Sequence, residues 1–343
     1  MAAALQPDTL NSSILPHFNR KLRDNFFTAT VAFELFTSLI ERIDGGSYVQ
    51  DQILYNASPQ ADVWPGGVAT ASADFIGNTT SAVFNPVYYL GAIGIPDTFA
   101  ILNQGEGMIV DLIAAQYEQM LMSLVEQIGK DFYSDGTPRN GVPVLMGLNA
   151  INTSGADPGG GAYGGITRVG SSGTFNAPVG PAPWWNANVL TINGGSQNVW
   201  KGAVNPGGST ATSYQAYFAF LIASTLGMYR PLAFLTDIIG YQGFGTLLVQ
   251  TVRQTPLEGV LRNGARGLSF ADIPVLQDDK CPTGSLYSVN DLLRWVIWRN
   301  GAFVETPWRQ PSNALVNIKY VVLVNCLKHE RPNTMTVMTG IAS

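Results

Sequence analysis

The sequence predicts an α+β fold in which one long helix and several separated strand segments share a chain poor in charge. Three observations carry this. Apolar residues recur at three- and four-residue steps from Ile109 to Ile128, the period of a helix stripe. Alternating apolar residues mark strands within 82–101 and 316–324, far apart in the chain. Only 13% of the 343 residues are charged, while 46% are hydrophobic; ordinary globular chains carry about 25% charge. A chain of this length buries a sizeable core and has room for two domains or one elaborated one. Its polar surface must come from Asn, Ser, Thr, Gln and 37 glycines. Water contact normally rests on charge, so much of this surface is expected to face other protein. A neutral extracellular β-protein would share the composition.

In chain order, residues 1–24 are polar, contain Pro7 and Pro16, and hold the basic cluster Arg20, Lys21 and Arg23. They read as an extended arm. Residues 25–43 place Phe26, Val31, Leu35, Leu39 and Ile43 at helical spacing, and Asp44-Gly45-Gly46 stops the helix. Two strand-like segments follow, at 48–57 and 82–101, separated by a long polar excursion with Gly66-Gly67 near its start. In the second segment Val87, Tyr89, Ile93, Ile95, Phe99 and Ile101 share one face. A two-stranded hairpin is not stable alone in water. This one must lie on something, and the shortage of charge points to a neighbouring subunit.

Residues 103–137 hold the long helix. Ile109, Leu112, Ile113, Met120, Leu121, Leu124, Val125 and Ile128 form one stripe, with Glu118, Glu126 and Gln127 mostly off it. Glu106 and Asp111 sit near the start, where the helix dipole favours negative charge. At 1.5 Å per residue the helix is about 35–40 Å long, and Ser134-Asp135-Gly136 ends it. From 140 to 210 the chain is rich in Gly, Pro, Asn and Ser, with loop-like blocks around 170–183 and 193–210. A helix is predicted at 214–229, a short buried strand at 232–235 and a helix at 237–253. Residues 268–290 read as strand, turn, strand, with Pro282-Thr283-Gly284 as the turn. Val316, Ile318, Tyr320, Val322 and Val324 alternate in a strand with Asn317 and Lys319 facing out, and 334–341 closes the chain as a short strand. There is no internal repeat.

The chemistry-bearing residues are few. No Lys or Arg occurs between Arg42 and Lys130, while nine Asp or Glu do, and the net charge is −5. A protein that grips nucleic acid by neutralising phosphates has the opposite balance. Cys281 and Cys326 do not make a disulfide framework and point to reduced thiols. The start MAAALQPDTL lacks the basic and apolar regions of a signal peptide, and no apolar run of about 18 residues calls for a membrane span. The histidines are His17 and His329. His329 follows Cys326 at C-x-x-H spacing, but no second pair completes a zinc site, so no metal or cofactor is expected. With so few histidines a Ser-His-Asp or Cys-His arrangement is not expected either. Gly159, Gly161 and Gly164 match G-x-G-x-x-G by letter, but without the strand before and helix after that the motif needs. Asp278-Asp279 reads as a solvated turn. No constellation carries catalysis, and a non-enzyme is expected.

Five passages together resemble the major capsid protein of tailed bacteriophages, the Hong Kong 97-type fold. They are RIDGGSYVQDQILYNASP (42–59), the helix passage 101–137, then GLNAIN, AYGGITR and Trp184-Trp185-Asn186, then 267–290, and PSNALVNIKYVVLVNC (311–326). Each is weak alone; their joint order and spacing carry the resemblance. It implies an L-shaped subunit with an N-terminal arm (1–45) and an extended β-hairpin loop, the E-loop (46–103). A peripheral domain with the long spine helix follows (104–134 and 291–328), and an axial domain (135–290 and 329–343). It further implies hexamers and pentamers closing into an icosahedral head shell around double-stranded DNA. Portal, scaffolding and decoration proteins are the implied partners, with assembly in the host bacterial cytoplasm and the virion as destination.

Two departures from the family matter. Some members cross-link through a Lys in the extended loop, and this loop has none. Some carry a long N-terminal scaffolding segment; here residues 1–45 precede the loop, so a separate scaffold is expected. Trp64, Phe75, Val87, Tyr89 and Phe99 in the hairpin, and Glu106, Asp111, Glu118 and Glu126 on the helix, are the expected assembly contacts. Packing within the subunit is the alternative for the first five, and a solvated face for the acids. Two other readings stay open. One is an encapsulin-like nanocompartment shell; the other is a glycan-binding β-rich protein or hydrolase using Trp184, Trp185 and Trp200.

Overall fold

The computed structural model describes residues 31–54, 79–98, 112–152, 162–167, 185–191, 203–204, 210–211, 213–251, 268–311 and 315–341. The chain divides into two compact units. One is built on Leu90–Val125 and Glu305–Val322, the other on Thr28–Tyr89, Glu126–Val304 and Leu323–Ser343.

The larger unit opens with α1 (Val31–Ser38) and β1 (Ile40–Ile43). The helical spacing across 25–43 therefore ends early. Residues 40–43 run parallel to β14 (Leu293–Trp298), with Ile40 opposite Trp295 and Ile43 opposite Trp298. Branched Ile40 and Ile43 suit a strand better than a helix, and an open edge of β14 decides the matter. β14 itself escapes the alternation rule because it is apolar on both faces. Leu293, Trp295, Val296, Ile297 and Trp298 are all buried, the pattern of a strand covered on both sides. Its other edge pairs antiparallel with β16 (Val316–His329), Trp295 opposite Leu327. An aromatic cluster packs here. Phe36 of α1 lies 4.4 Å from Phe132, and Phe132 meets Trp295 edge-on at 5.2 Å. Phe132 directly follows α2 (Leu112–Asp131). The base of the expected hairpin is an antiparallel ladder of β2 (Val49–Leu54) and β3 (Thr79–Phe84), Val49 opposite Phe84 and Leu54 opposite Thr79. β4 (Val87–Pro96) follows β3.

After α2 come α3 (Leu148–Asn152) and two short ladders, β5–β6 (Ala162–Tyr163, Ile166–Thr167) and β8–β9 (Ala203–Val204, Thr210–Ala211). The second core of this unit is a six-stranded sheet in the order β11 (Leu268–Phe270), β12 (Ile273–Gln277), β10 (Pro231–Thr236), β13 (Ser285–Asn290), β17 (Thr336–Thr339), β7 (Asn188–Thr191). β10 with β12 and β17 with β7 are parallel; the other neighbours are antiparallel. α4 (Ser213–Ala223) and α5 (Ile238–Thr251) bring Tyr217, Phe220 and Phe244 against Phe234, Phe270 and Leu286 of the sheet. Asp237 starts α5 by accepting the Gly240 N–H at 2.9 Å, and its other oxygen takes the Gly284 N–H at 2.9 Å. That is N-capping combined with anchorage of the next turn.

The segment 268–290 holds three strands rather than two. Ala271 and Asp272 have φ of +50° and +67°, the two positive values of a type I′ turn. Ala-Asp lacks the Asn-Gly signature of that turn, which hides it in the sequence. The Pro282-Thr283-Gly284 turn is present. Gly284 has φ +70°, and a Cβ there would stand 2.5 Å from the Ile341 carbonyl oxygen, so glycine is required twice over.

In the smaller unit the start of β16 pairs with β15 (Val304–Glu305) and β4. The Asp97 N–H reaches the Leu315 carbonyl at 3.1 Å, and the Asp97 carboxylate accepts from Asn317 at 2.6 Å. Helix α2 lies directly on β4 at Gly91, where a Cβ would overlap the Met120 sulfur. The expected phase of β16 does not hold. Residues 316–320 are all half-buried, the alternation at 321–324 puts Val321 and Leu323 inside and leaves Val322 and Val324 half-buried, and from Asn325 to His329 the strand is covered on both faces. Lys319 does not face out freely: it pairs with Glu305 at 2.6 Å and lies over the Tyr117 ring at 5.0 Å.

Candidate assembly surface

Among the described strands β4 is the clearest amphipathic one, and its burial alternates residue by residue. Val87, Tyr89, Ile93 and Ile95 face the interior. Tyr88 and Leu90 point out, 68% and 61% exposed. The face that alternation marks is thus the inward one, and the outward face holds two large apolar side chains. The Tyr89 hydroxyl donates to Asp131 at 2.8 Å, and Asp131 also accepts from Gln127 and Arg139, both at 2.9 Å. Burial, then the Asp131 charge, pushes the Tyr89 phenol above its ordinary range. Among the expected assembly contacts, then, Val87 and Tyr89 pack within their own chain.

Helix α2 carries Glu118 on its exposed side and Glu126 in a cluster of charge. Glu126 lies 2.8 Å from Lys280 and 3.0 Å from Lys130. The hydrogen bond from Lys280, then that from Lys130, holds the Glu126 carboxyl below its usual range. Leu124 and Ile128 of the predicted stripe are buried. Trp64, Phe75, Phe99, Glu106 and Asp111 lie outside the described residues.

Asp278 departs from its reading as a solvated turn. It is buried, and its carboxylate accepts three hydrogen bonds: the Ala32 N–H at 2.9 Å, the Tyr133 hydroxyl at 3.0 Å and the Lys280 N–H at 2.9 Å. It fastens the first turn of α1 and the residues following α2 to the end of β12. Burial is the main influence on its carboxyl and raises its pKa. His329 is buried beside Cys326 in sequence, but both ring nitrogens serve the chain. Nε2 meets Asn290 Oδ1 at 2.6 Å, and Nδ1 accepts the Arg331 N–H at 3.0 Å. Burial pushes the Cys326 thiol up to about 12. Trp185 is a core residue whose indole N–H donates to the Tyr163 carbonyl at 2.8 Å. It cannot serve as a sugar platform; Trp184 and Trp200 lie outside the described residues. Among the described residues no group of three His, Cys, Asp or Glu is placed to hold a metal, and no helix is long and apolar enough to cross a membrane.

No family model and no curated protein matches the sequence. Solved structures do. The capsid asymmetric unit of cyanophage A-1(L) matches with a TM-score of 0.65 at 15% identity, over 99% of this chain and 100% of that one. The capsid of a native GTA particle matches with a TM-score of 0.65 at 8% identity, over the same shares. The chain has the Hong Kong 97-type capsid fold. The fold is not confined to phage heads: the holo-SrpI encapsulin complex of Synechococcus elongatus PCC 7942 matches with a TM-score of 0.57 at 11% identity, over 98% of this chain and 95% of that one. Phe218 and Ile222 on α4 have the same character as Tyr88 and Leu90, apolar and exposed. Their signal in sequence was the absence of any charge in α4.

Proposed function

We propose that this chain is a major capsid protein of a tailed bacteriophage. Its copies form hexamers and pentamers that close into an icosahedral head shell around double-stranded DNA. The single observation that carries this is the fold match over essentially the full length of both chains with phage-type capsids. The shortage of charge supports it, since a subunit surrounded by its own copies does not need a charged coat. Its role is structural rather than catalytic. The stretch 43–129, with nine acids and no Lys or Arg, confines DNA without gripping it. In this reading residues 1–45 are an arm and 46–103 an extended loop. Residues 104–134 with 291–328 make the peripheral domain; 135–290 with 329–343 make the axial domain. Trp64, Phe75 and Phe99 of the loop and Glu106, Asp111 and Glu118 of the helix contact neighbouring copies, while Val87, Tyr89 and Glu126 hold the elements that present them. Portal, scaffolding and decoration proteins complete the virion head, assembled in the host cytoplasm.

Sedimentation and negative-stain microscopy of the purified chain test the reading. Rings of five or six subunits, or closed shells, are the expected result; a stable monomer at high concentration overturns it. The encapsulin match favours a second reading, a nanocompartment shell. Shells isolated from the native source with DNA inside support the first, and shells holding protein cargo support the second.

A further inference from the structure

His329 ends β16, and a short turn leads from it into β17. Its imidazole is fully buried. Two backbone N–H groups fix where its hydrogen sits, because a backbone N–H can only donate. The Leu292 N–H points at Asn290 Oδ1 at 3.2 Å, so the oxygen of that amide lies on this side. The Asn290 nitrogen then faces Thr334 and donates to its hydroxyl. Asn290 Oδ1 is an acceptor, so His329 Nε2, 2.6 Å away, carries the hydrogen. The Arg331 N–H donates to Nδ1 at 3.0 Å, so Nδ1 carries none. The ring is thus held as the neutral Nε2–H tautomer, and its basic nitrogen is already engaged by Arg331. The turn hangs on the same residue. The Arg331 carbonyl accepts the Thr334 N–H at 3.0 Å and the Thr334 hydroxyl at 2.8 Å, and the Pro332 carbonyl accepts the Met335 N–H at 2.9 Å.

We propose that His329 is an acid-sensitive latch: a proton arriving at Nδ1 displaces the Arg331 N–H and releases the turn 330–335 from β13 and β16. A second proton on the ring has only Nδ1 to go to, where two N–H groups would oppose each other. Burying the resulting charge is costly without a partner. The charged groups on the described segments around the ring are Asp291 and Arg294 on one side, and Lys328, Glu330 and Arg331 on its own strand and turn. Lys328 alternates to the other face of β16, where it meets Glu41 and Asp51. The Arg331 guanidinium lies over the Tyr229 ring at 5.1 Å. Asp291 and Glu330 are exposed, so their charges are screened by water and give a buried imidazolium little support. The proton is therefore taken up by the open turn, and acid favours opening. The latch works within a single chain and does not depend on the shell reading.

Backbone hydrogen exchange of the turn, read by mass spectrometry and corrected for the intrinsic rate, tests the latch. Between about pH 7.5 and about pH 5, a range that spans the ordinary histidine value, opening of the turn should rise about thirtyfold. The core strand β10 should keep its protection. The slow exchange of the imidazole C2 hydrogen, read on the peptide that holds His329, follows the ring's own proton and should change in step with the turn. His329→Gln has no proton to take up in this range, so its turn should be equally protected at both ends of it. Unchanged protection of the wild-type turn, an equal loss in β10, or a variant with the wild-type pH dependence overturns the latch. Circular dichroism reports whether the variant folds. If it does not, the two wild-type curves decide: ring and turn changing together support the latch, and curves that separate overturn it.

Discussion

The Lys280 ammonium sits 2.8 Å from the Glu126 carboxylate, joining the turn after β12 to the last turns of α2. Both side chains are mostly covered, and Lys130 adds a second contact from the same helix at 3.0 Å. The arrangement predicts a pH signature. The folded carboxyl lies below its ordinary value of 4.5, so its contribution is complete above that value and lost as pH falls through the folded one. Glu126→Gln should lower stability by about 1 kcal/mol at neutral pH. The gap in Tm between wild type and variant should stay constant down to about pH 5 and close below it. A gap unchanged down to about pH 3 would show that the pair contributes nothing through charge.

Lys328 makes a different kind of cluster. Its side chain is almost fully covered and lies 3.3 Å from both Glu41 and Asp51. Burial pulls its pKa down, but the Asp51 and Glu41 charges outweigh this and the net direction is up from 10.5. A raised lysine contributes fully below its unfolded value, so the cluster is intact throughout the physiological range. Lys328→Ala leaves Asp51, one of whose oxygens is already out of reach of water and unpaired, without a counter-charge. The expected cost is about 3 kcal/mol. Glu41→Gln, at a site 40% exposed, should cost under about 1 kcal/mol. Urea unfolding of the two variants checks the order, and both deficits should be flat from about pH 6 to 9.

Two adjacent tyrosines separate folding from assembly. Tyr89 is buried on Asp131, and Tyr88 on the opposite face of β4 is exposed. Tyr89→Phe removes one of three donors to Asp131 and should cost about 1 kcal/mol of stability. Tyr88→Ser should change stability by less than about 0.5 kcal/mol yet reduce the yield of rings or shells. Thermal unfolding and negative stain on the same samples read both effects. A Tyr88→Ser protein that assembles normally removes the outer face of β4 from the contact surface.

These residues also show what could be read from sequence. The period of β4 was legible because one of its faces is solvated, and so was the stripe of α2 through Leu124 and Ile128. β14 and the later part of β16 were not, since both faces of each are covered and alternation vanishes. The switch from helix to strand at Ile40 depends on the edge of β14, a partner some 250 residues away, which no local pattern encodes. Periodicity likewise identifies a buried face and says nothing of what the other face touches. Val87 and Tyr89 therefore drew attention while Tyr88 and Leu90 did not. Adjacent acids such as Asp278-Asp279 usually mark a solvated turn, whereas the three donors that bury Asp278 come from Ala32, Tyr133 and Lys280, two of them distant in the chain.

Asp278 supplies the last prediction, with a pH dependence opposite to that of Glu126. Its folded pKa is raised from 3.8 chiefly by burial, so ionisation costs the folded state something the unfolded chain does not incur. That cost is absent in acid and grows as pH rises through the folded pKa. Asp278→Asn removes the cost but loses an acceptor for one of three donors, a loss of about 1–3 kcal/mol. The variant should therefore be less stable than wild type, and the deficit should be larger near pH 4 than near pH 7, where wild type bears the buried charge. The damage should also be local. Ala32 lies in the first turn of α1, so amide hydrogen exchange in 31–38 should accelerate at least tenfold while the core strands β10 and β13 keep their protection. Tyr133→Phe, which removes one donor and leaves the carboxylate two, should produce a smaller version of the same exchange pattern. Equal protection of 31–38 in wild type and both variants would show that α1 is held by the Phe36, Phe132 and Trp295 rings alone.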